Sequence, residues 1–409
     1  MQDFIYCAPT RVIFGKDTEL QVGKILKEAG ATCVLLQYGG GSIKKSGLYD
    51  RVVQAVREAG IELYEIGGVQ PNPHLSLVRE AIALAREKKV DYLLAVGGGS
   101  AIDSTKATAV GVPYEGDVWD FYCGKATPKI ALPLGVILTI PAAGSEASAS
   151  CVITNDELRL KRGLSSELHR PAVSIMDPEL TFTLPSYQTA AGVTDMIAHV
   201  IERYFSSAGP VPVTDGIACA IVRSLVEEAP RALADPADYD ARANIMWAGM
   251  LAHNDIAGLG RSSVAGGRAG GWESHALEHE LSAHDARITH GAGLAVIVPA
   301  WMRHVWRENP DRFLAFGRGV FGIEPVDPAE DAVEMTAEEA VADAVGATID
   351  ELQGFFVSLG MPRTLSELGV TRGQIPALLG TLEKNKGPVF GEFRRLTMED
   401  ARQIYESAL

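Results

Sequence analysis

Four side chains, far apart in the chain, have the types and spacing of one metal centre: Asp195 and His199 in GVTDMIAHV, then His275 and His290 in WESHALEHELSAHDARITHG. Asp195 and His199 stand four apart in an amphipathic run that reads as helix, so their side chains leave the same face one turn apart. His275 and His279 repeat that spacing in a second helical run, and His290 precedes a glycine at the start of a third. One carboxylate and three imidazoles borne by separate helices suit a divalent ion that keeps a position open for substrate.

Two glycine clusters offer backbone amides instead. Gly39-Gly40-Gly41-Ser42 follows the apolar run CVLLQY, and Gly97-Gly98-Gly99-Ser100 follows DYLLAV. Glycine there lets amides approach a ligand closely, and a helix that starts at once adds its positive end to an anion site. Neither cluster matches GxGxxG or the P-loop pattern, and either alone reads equally well as a tight turn. Two at strand ends of one region favour phosphate binding. Asp103, in SAIDSTKA, stands in the first turns of the helix after the second cluster. It either bonds a nicotinamide or ribose group or complements the helix dipole. The first cluster continues as SIKK without an acid. Ser42, Lys44 and Lys45 suit the extra phosphate of NADP better than the ribose hydroxyl of NAD, although the lysines also read as a solvated helix start. A third loop, TIPAAGSEAS (139–148), is rich in small residues and lets a flat ring or a pyrophosphate pass, or simply ends a strand in a turn.

These groups need a scaffold, and its pattern changes near residue 185. Between residues 33 and 177, CVLLQY, IELYEI, DYLLAV, GVILTI and PAVSIM alternate with helical runs such as SGLYDRVVQAVREAG, as strands and covering helices of a parallel α/β domain do. After Pro185 the runs are helical with almost no strand signal. The expectation is an α/β dinucleotide-binding domain over 1–185 and an all-α metal-binding and substrate domain over 186–409. The acidic segment 326–344 is expected as a solvated excursion. At 409 residues two domains are the natural division. No apolar run is long enough to span a membrane, and the N-terminal residues lack a signal-peptide pattern. Five scattered cysteines, none in CxxC spacing, fit free thiols in the cytoplasm. A formal charge of −15 disfavours nucleic acid as a partner while leaving local anion nests available.

Taken in order, GGGSIKKSGLYD, VQPNP, GGGSAIDSTKA, TIPAAGSEAS, LPSYQTAAGVTDMIAHVIE, HALEHELSA and THGAGLAVIVPAWM resemble the iron-containing (group III) alcohol dehydrogenase family over nearly the whole chain, specifically its butanol dehydrogenase or NADPH-dependent aldehyde reductase branch. The resemblance implies the dehydroquinate synthase-like architecture, a homodimer, and metal ligation by Asp195, His199, His275 and His290. It implies cofactor contacts at Gly39, Gly40, Gly41, Ser42, Asn72, Gly98, Gly99, Ser100, Asp103, Thr139, Lys161 and Leu180. His284 remains an alternative fourth ligand, since HELSAHDARITH is longer than in some relatives.

The implied reaction is reversible hydride transfer between NADP(H) and a small aldehyde or primary alcohol. A divalent metal, ferrous iron first and zinc next, acts as Lewis acid. Asp103, beside the nicotinamide, and His279 are the candidate catalytic residues. His279 relays a proton to solvent, or else packs behind the ligands. His253 reads as structural rather than cleft-lining, Trp272 and Trp301 as pocket or core, and Cys151 as lying near the cofactor without a nucleophile's partner. A lyase of the dehydroquinate synthase type would use the same ligands without net redox chemistry. A non-catalytic metal or nucleotide sensor would keep the binding residues alone. Both remain open from sequence.

Overall fold

The computed structural model describes residues 1–158, 160–206, 209–261, 269–327 and 335–409. Its strands are β1 (Arg11–Phe14), β2 (Cys33–Tyr38), β3 (Glu62–Ile66), β4 (Tyr92–Gly98), β5 (Leu134–Ile140), β6 (Ser150–Asn155), β7 (Leu160–Ser165) and β8 (Val173–Met176) in the first part of the chain. Six of them form one sheet in the order β1-β8-β5-β4-β2-β3, with every pair parallel. CVLLQY and YLLAV are continuous apolar runs because their strands are covered on both faces: Val34, Leu35, Leu36, Leu93, Leu94, Ala95 and Val96 are all buried. At the edge, β3 carries Glu62 and Glu65 outward, which protects its unpaired side.

From β2 the chain passes to β3 on one side, then crosses to β4 on the other. The sheet therefore reverses direction between β2 and β4, and both glycine clusters lie at the carboxyl ends of those two strands. In open α/β sheets this reversal opens a crevice for ligands. Two features escaped the periodicity. β1 is only four residues at the sheet's margin, and the antiparallel hairpin β6–β7 contains the charged, glycine-broken LKRGLS.

The chain forms two compact units. One is Cys7–Leu184 with Pro236–Asn254; the other is Met1–Tyr6, Pro185–Asp235 and Asp255–Leu409. A single cut at 185 thus assigns the helix Tyr239–His253 differently. Met246 and Met250 of that helix pack into the sheet core with Leu35, Leu93 and Val136. A helix that covers a sheet and one that joins a bundle share the same period, so periodicity cannot tell them apart.

In the second unit the helix Ser186–Tyr204 is buried on all sides from Thr189 onward, packed by Pro212–Ala234 and His290–Val305. The unit also holds a short antiparallel pair, Val389–Phe390 with Leu396–Thr397, which departs from a purely helical expectation. The acidic segment is helical from Ala337, where Thr336 and Glu339 form a capping box. Its residues 328–334 lie outside the described ones. No described helix is long and apolar enough to cross a membrane.

Candidate metal centre

Three helices of the second unit build the centre: Ser186–Tyr204 carries Asp195 and His199, Glu273–His284 carries His275, and His290 opens His290–Val305. The last helix approaches the first closely. A Cβ at Gly291 would sit 2.0 Å from the Ala191 carbonyl oxygen, and one at Gly293 would meet the Glu278 side chain at 2.7 Å. The glycines of THGAGLA therefore let His290 reach the Asp195 helix. Oδ1 of Asp195 lies 3.6 Å from His199 Nε2, 3.7 Å from His275 Nε2 and 3.6 Å from His290 Nε2. These spacings are long for hydrogen bonds. They match atoms that share an ion, since two ligands about 2.1 Å from a tetrahedral zinc stand about 3.4 Å apart.

Two orphaned atoms support that fit. Asp195 Oδ1 and His275 Nε2 are buried, and among the described residues neither has a hydrogen-bond partner. Buried polar atoms left so are costly and call for an explanation. Burial opposes ionisation of Asp195, yet His199, His290 and His275 hold its carboxyl well below the usual range. Burial pushes His199 down to about 3, which keeps its ring neutral and its lone pair available. Burial would lower His275 too, but Asp195 and Glu202 on its two sides raise it to about 9, and an ion bound at Nε2 would displace the proton from that atom.

Two carboxylates back the ligands, and the sequence reading did not single them out. Glu202 is buried, yet hydrogen bonds from His275 and Ser274 outweigh desolvation and keep its carboxyl below the ordinary value. Its Oε1 accepts from His275 Nδ1 at 3.1 Å. Glu278, also buried, contacts Nδ1 of His290. The available signal was helical spacing: Glu202 falls seven after Asp195 and Glu278 three after His275, on the same stripes.

The other candidates divide. His279 is half-buried, its ring 5.3 Å from that of His290. Trp272 sets its edge against His199 and His275 at 5.9 and 5.1 Å, so it walls the centre. His284 is exposed at the end of its helix and pairs with Gln374, away from the ligand cluster. His253 and Trp301 are buried. Burial and the backbone of Asp103 surround Cys151, whose thiol is pushed well up.

In the first unit, the expected cofactor positions lie along the carboxyl edge of the sheet. Asn72 follows β3 with φ 56°, Gly39–Ser42 follows β2, Gly98–Asp103 joins β4 to the helix Gly99–Gly111, Thr139 is on β5, and Leu180 is in the turn after β8. Lys161 is buried on the hairpin, close enough for its charge to favour the ionised Asp103 carboxyl. Gly98 and Gly99 are required by packing, because added Cβ atoms would sit 2.8 Å from Ile140 and from Ala143. At Gly40 and Gly41 a Cβ would meet nothing within 4 Å. Both glycines are exposed. The helix after the first cluster is only Ser42–Lys45, so a strong positive helix end occurs at the second cluster alone. Asp103 is half-buried and accepts from Ser145 Oγ at 2.5 Å and Val152 N at 2.8 Å, and desolvation raises its carboxyl. Beside it, Lys106 Nζ donates to the Ser148 and Ser150 carbonyls, and burial lowers it to about 8.

The chain matches known proteins along its whole length. Residues 9–178 match the family described as iron-containing alcohol dehydrogenase, and residues 189–409 match that family's C-terminal part. It is 39% identical over 410 residues to a probable NADH-dependent butanol dehydrogenase 1 of Bacillus subtilis, covering 100% of each chain. It is 36% identical over 415 residues to the NADPH-dependent aldehyde reductase YqhD of Escherichia coli, again covering 100% of each. The crystal structure of NADH-dependent butanol dehydrogenase A from Thermotoga maritima superposes with a TM-score of 0.91 at 39% identity, over 100% of this chain and 99% of that one. A parallel sheet reversed at two glycine turns, a buried Asp and three imidazoles with their donor atoms converging, and matches over both units together lead to one conclusion: the chain belongs to the iron-containing alcohol dehydrogenase family, oxidoreductases that imply a divalent metal and a nicotinamide cofactor.

Proposed function

We propose that the chain is an NADP(H)-linked alcohol dehydrogenase and aldehyde reductase for small aldehydes, of the butanol dehydrogenase kind, working in the cytoplasm as a homodimer. The observation that carries it is the convergence of Asp195 Oδ1 with three Nε2 atoms at 3.6–3.7 Å, with orphaned buried atoms at its middle. When bound, the metal supplies Lewis-acid polarisation of the carbonyl oxygen, and the nicotinamide supplies the hydride. Asp195, His199, His275 and His290 hold the ion, ferrous iron first and zinc next. Trp272 keeps water from the His199 and His275 rings. His279, half-buried and one turn from His275, exchanges the proton that the product alcohol needs with solvent.

On the cofactor side, the amides of Gly39–Ser42 and Gly98–Ser100 approach the phosphates, with Asn72, Thr139, Lys161 and Leu180 around them. Asp103 enters as the group that ties the 145–152 segment to the helix Gly99–Gly111, since both its oxygens are engaged there. The preference for NADP rests on the absence of an acid in YGGGSIKK. In the fold, Lys44 Nζ lies over the Tyr38 and Tyr49 rings at 5.0 and 4.6 Å, so Ser42 and backbone amides are left as the phosphate's main contacts. The names of the relatives divide between NADH and NADPH. Comparing kcat/KM for butanal reduction with the two cofactors tests the reading: higher values with NADPH support it, and higher values with NADH overturn the cofactor assignment.

A further inference from the structure

We infer that Glu202 is the positioning residue of the metal centre. It locks the His275 imidazole in the tautomer that presents Nε2 to the ion, and the same carboxylate caps the helix that carries His275. This rests on the metal-centre reading above.

The helix Glu273–His284 starts after Trp272, a residue at φ 56° that supplies no side-chain cap. Its first amides would otherwise be orphaned in a buried place. Glu202, from a different helix and 1% exposed, takes them over. Oε1 accepts from the backbone N–H of His275 at 3.0 Å, from Ser274 Oγ at 2.6 Å and from His275 Nδ1 at 3.1 Å. Oε2 accepts from the N–H of Glu273 at 3.1 Å. A negative charge is thereby placed at the positive end of the helix.

The tautomer follows from donor and acceptor rules. An ionised carboxylate only accepts, so Nδ1 of His275 must carry the proton it donates. In a neutral ring that leaves the lone pair on Nε2, the buried atom facing Asp195 Oδ1. Capping alone would have needed no contact with the ring, and orienting the ring alone would have needed no contact with the amides. One carboxylate does both, so the start of the helix and the direction of the ligand are fixed together. Glu278 differs: it backs His290 from within the Glu273–His284 helix itself.

The test uses full-length chain stripped of metal and reloaded with cobalt, read by visible absorption and by competition with a chelator. Glu202→Gln keeps an acceptor oxygen but loses the charge. We expect folded Glu202→Gln to bind cobalt about 10–100-fold more weakly, with an altered spectrum. Ser274→Ala removes one capping donor without touching the ring, and should lower the melting temperature while leaving cobalt affinity unchanged. Wild-type affinity and spectrum in folded Glu202→Gln would overturn the inference. If Glu202→Gln does not fold, nitrogen NMR of the zinc-loaded wild type decides: a proton on His275 Nδ1 supports the proposal, and a bare Nδ1 overturns it. Asp195→Ala separates the two levels. If it binds cobalt like wild type, the metal centre is misplaced and this inference falls with it; if it loses cobalt while Glu202→Gln retains it fully, the inference alone fails.

Discussion

In the helical unit, the groups of the proposed metal centre are buried side chains held by other buried side chains. Asp195, His199 and His275 converge with Glu202 and Glu278 behind the imidazoles, and two glycines are spent on bringing the helices together. On the carboxyl edge of the sheet, the groups proposed to meet the cofactor are mostly main-chain amides, and a Cβ at Gly40 or Gly41 would meet nothing within 4 Å. The first region is held by contacts among its own side chains; in the second, the glycines leave room beside the backbone. Substitutions should therefore act differently: removal is what damages the metal centre, and addition is what damages the cofactor edge.

The largest expected effect breaks the first region. Asp195→Ala should lose bound metal and lower kcat by about 10³-fold or more, since Lewis-acid stabilisation is worth several kcal/mol. Metal content per chain and turnover check it, and undiminished turnover would refute the metal mechanism. Next is the second region. Gly41→Val should weaken NADPH by roughly 10–100-fold, the worth of one charge-assisted hydrogen bond, while leaving the melting temperature nearly unchanged. Fluorescence titration and thermal unfolding measure the pair.

Gly98→Ala sharpens the contrast within that edge. Its Cβ runs into Ile140, so it should cost about 1–3 kcal/mol of stability even without cofactor. If denaturant unfolding shows Gly41→Val and Gly98→Ala equally destabilised, the distinction between empty and packed glycines fails. The smallest effect lies far from either region. Asp400 is buried in part, but Thr397, His304 and Arg394 hold its carboxyl down at about 2. A depressed carboxylate adds stability that is full above its unfolded value of about 4 and is lost as pH falls towards about 2. The melting-temperature gap between wild type and Asp400→Asn should be constant near neutrality and close over that acid window.

The side-chain chemistry was legible because spacing encodes it: four residues on a helix put Asp195 and His199 on one face whatever surrounds them. The supporting layer was not. Glu202 is a residue type that belongs on surfaces, and only the tertiary arrangement shows it filled by four donors. Most strands were legible as buried apolar runs, while LKRGLS of the hairpin, half-exposed and charged, carries no such signal. The helix Tyr239–His253 was legible as a helix but not as part of the sheet's cover, because that depends on where Met246 and Met250 find their partners. Gly98 and Gly41 look alike in sequence, and only neighbouring atoms distinguish a glycine needed by packing from one that leaves room.

Metal-dependent hydride transfer is tested by consumption of NADPH with butanal by metal-stripped chain, before and after adding ferrous iron or zinc. Consumption should be negligible without metal and, with it, matched mole for mole by butanol. Equal rates with and without metal, or no consumption by chain shown to hold both metal and NADPH, would contradict it.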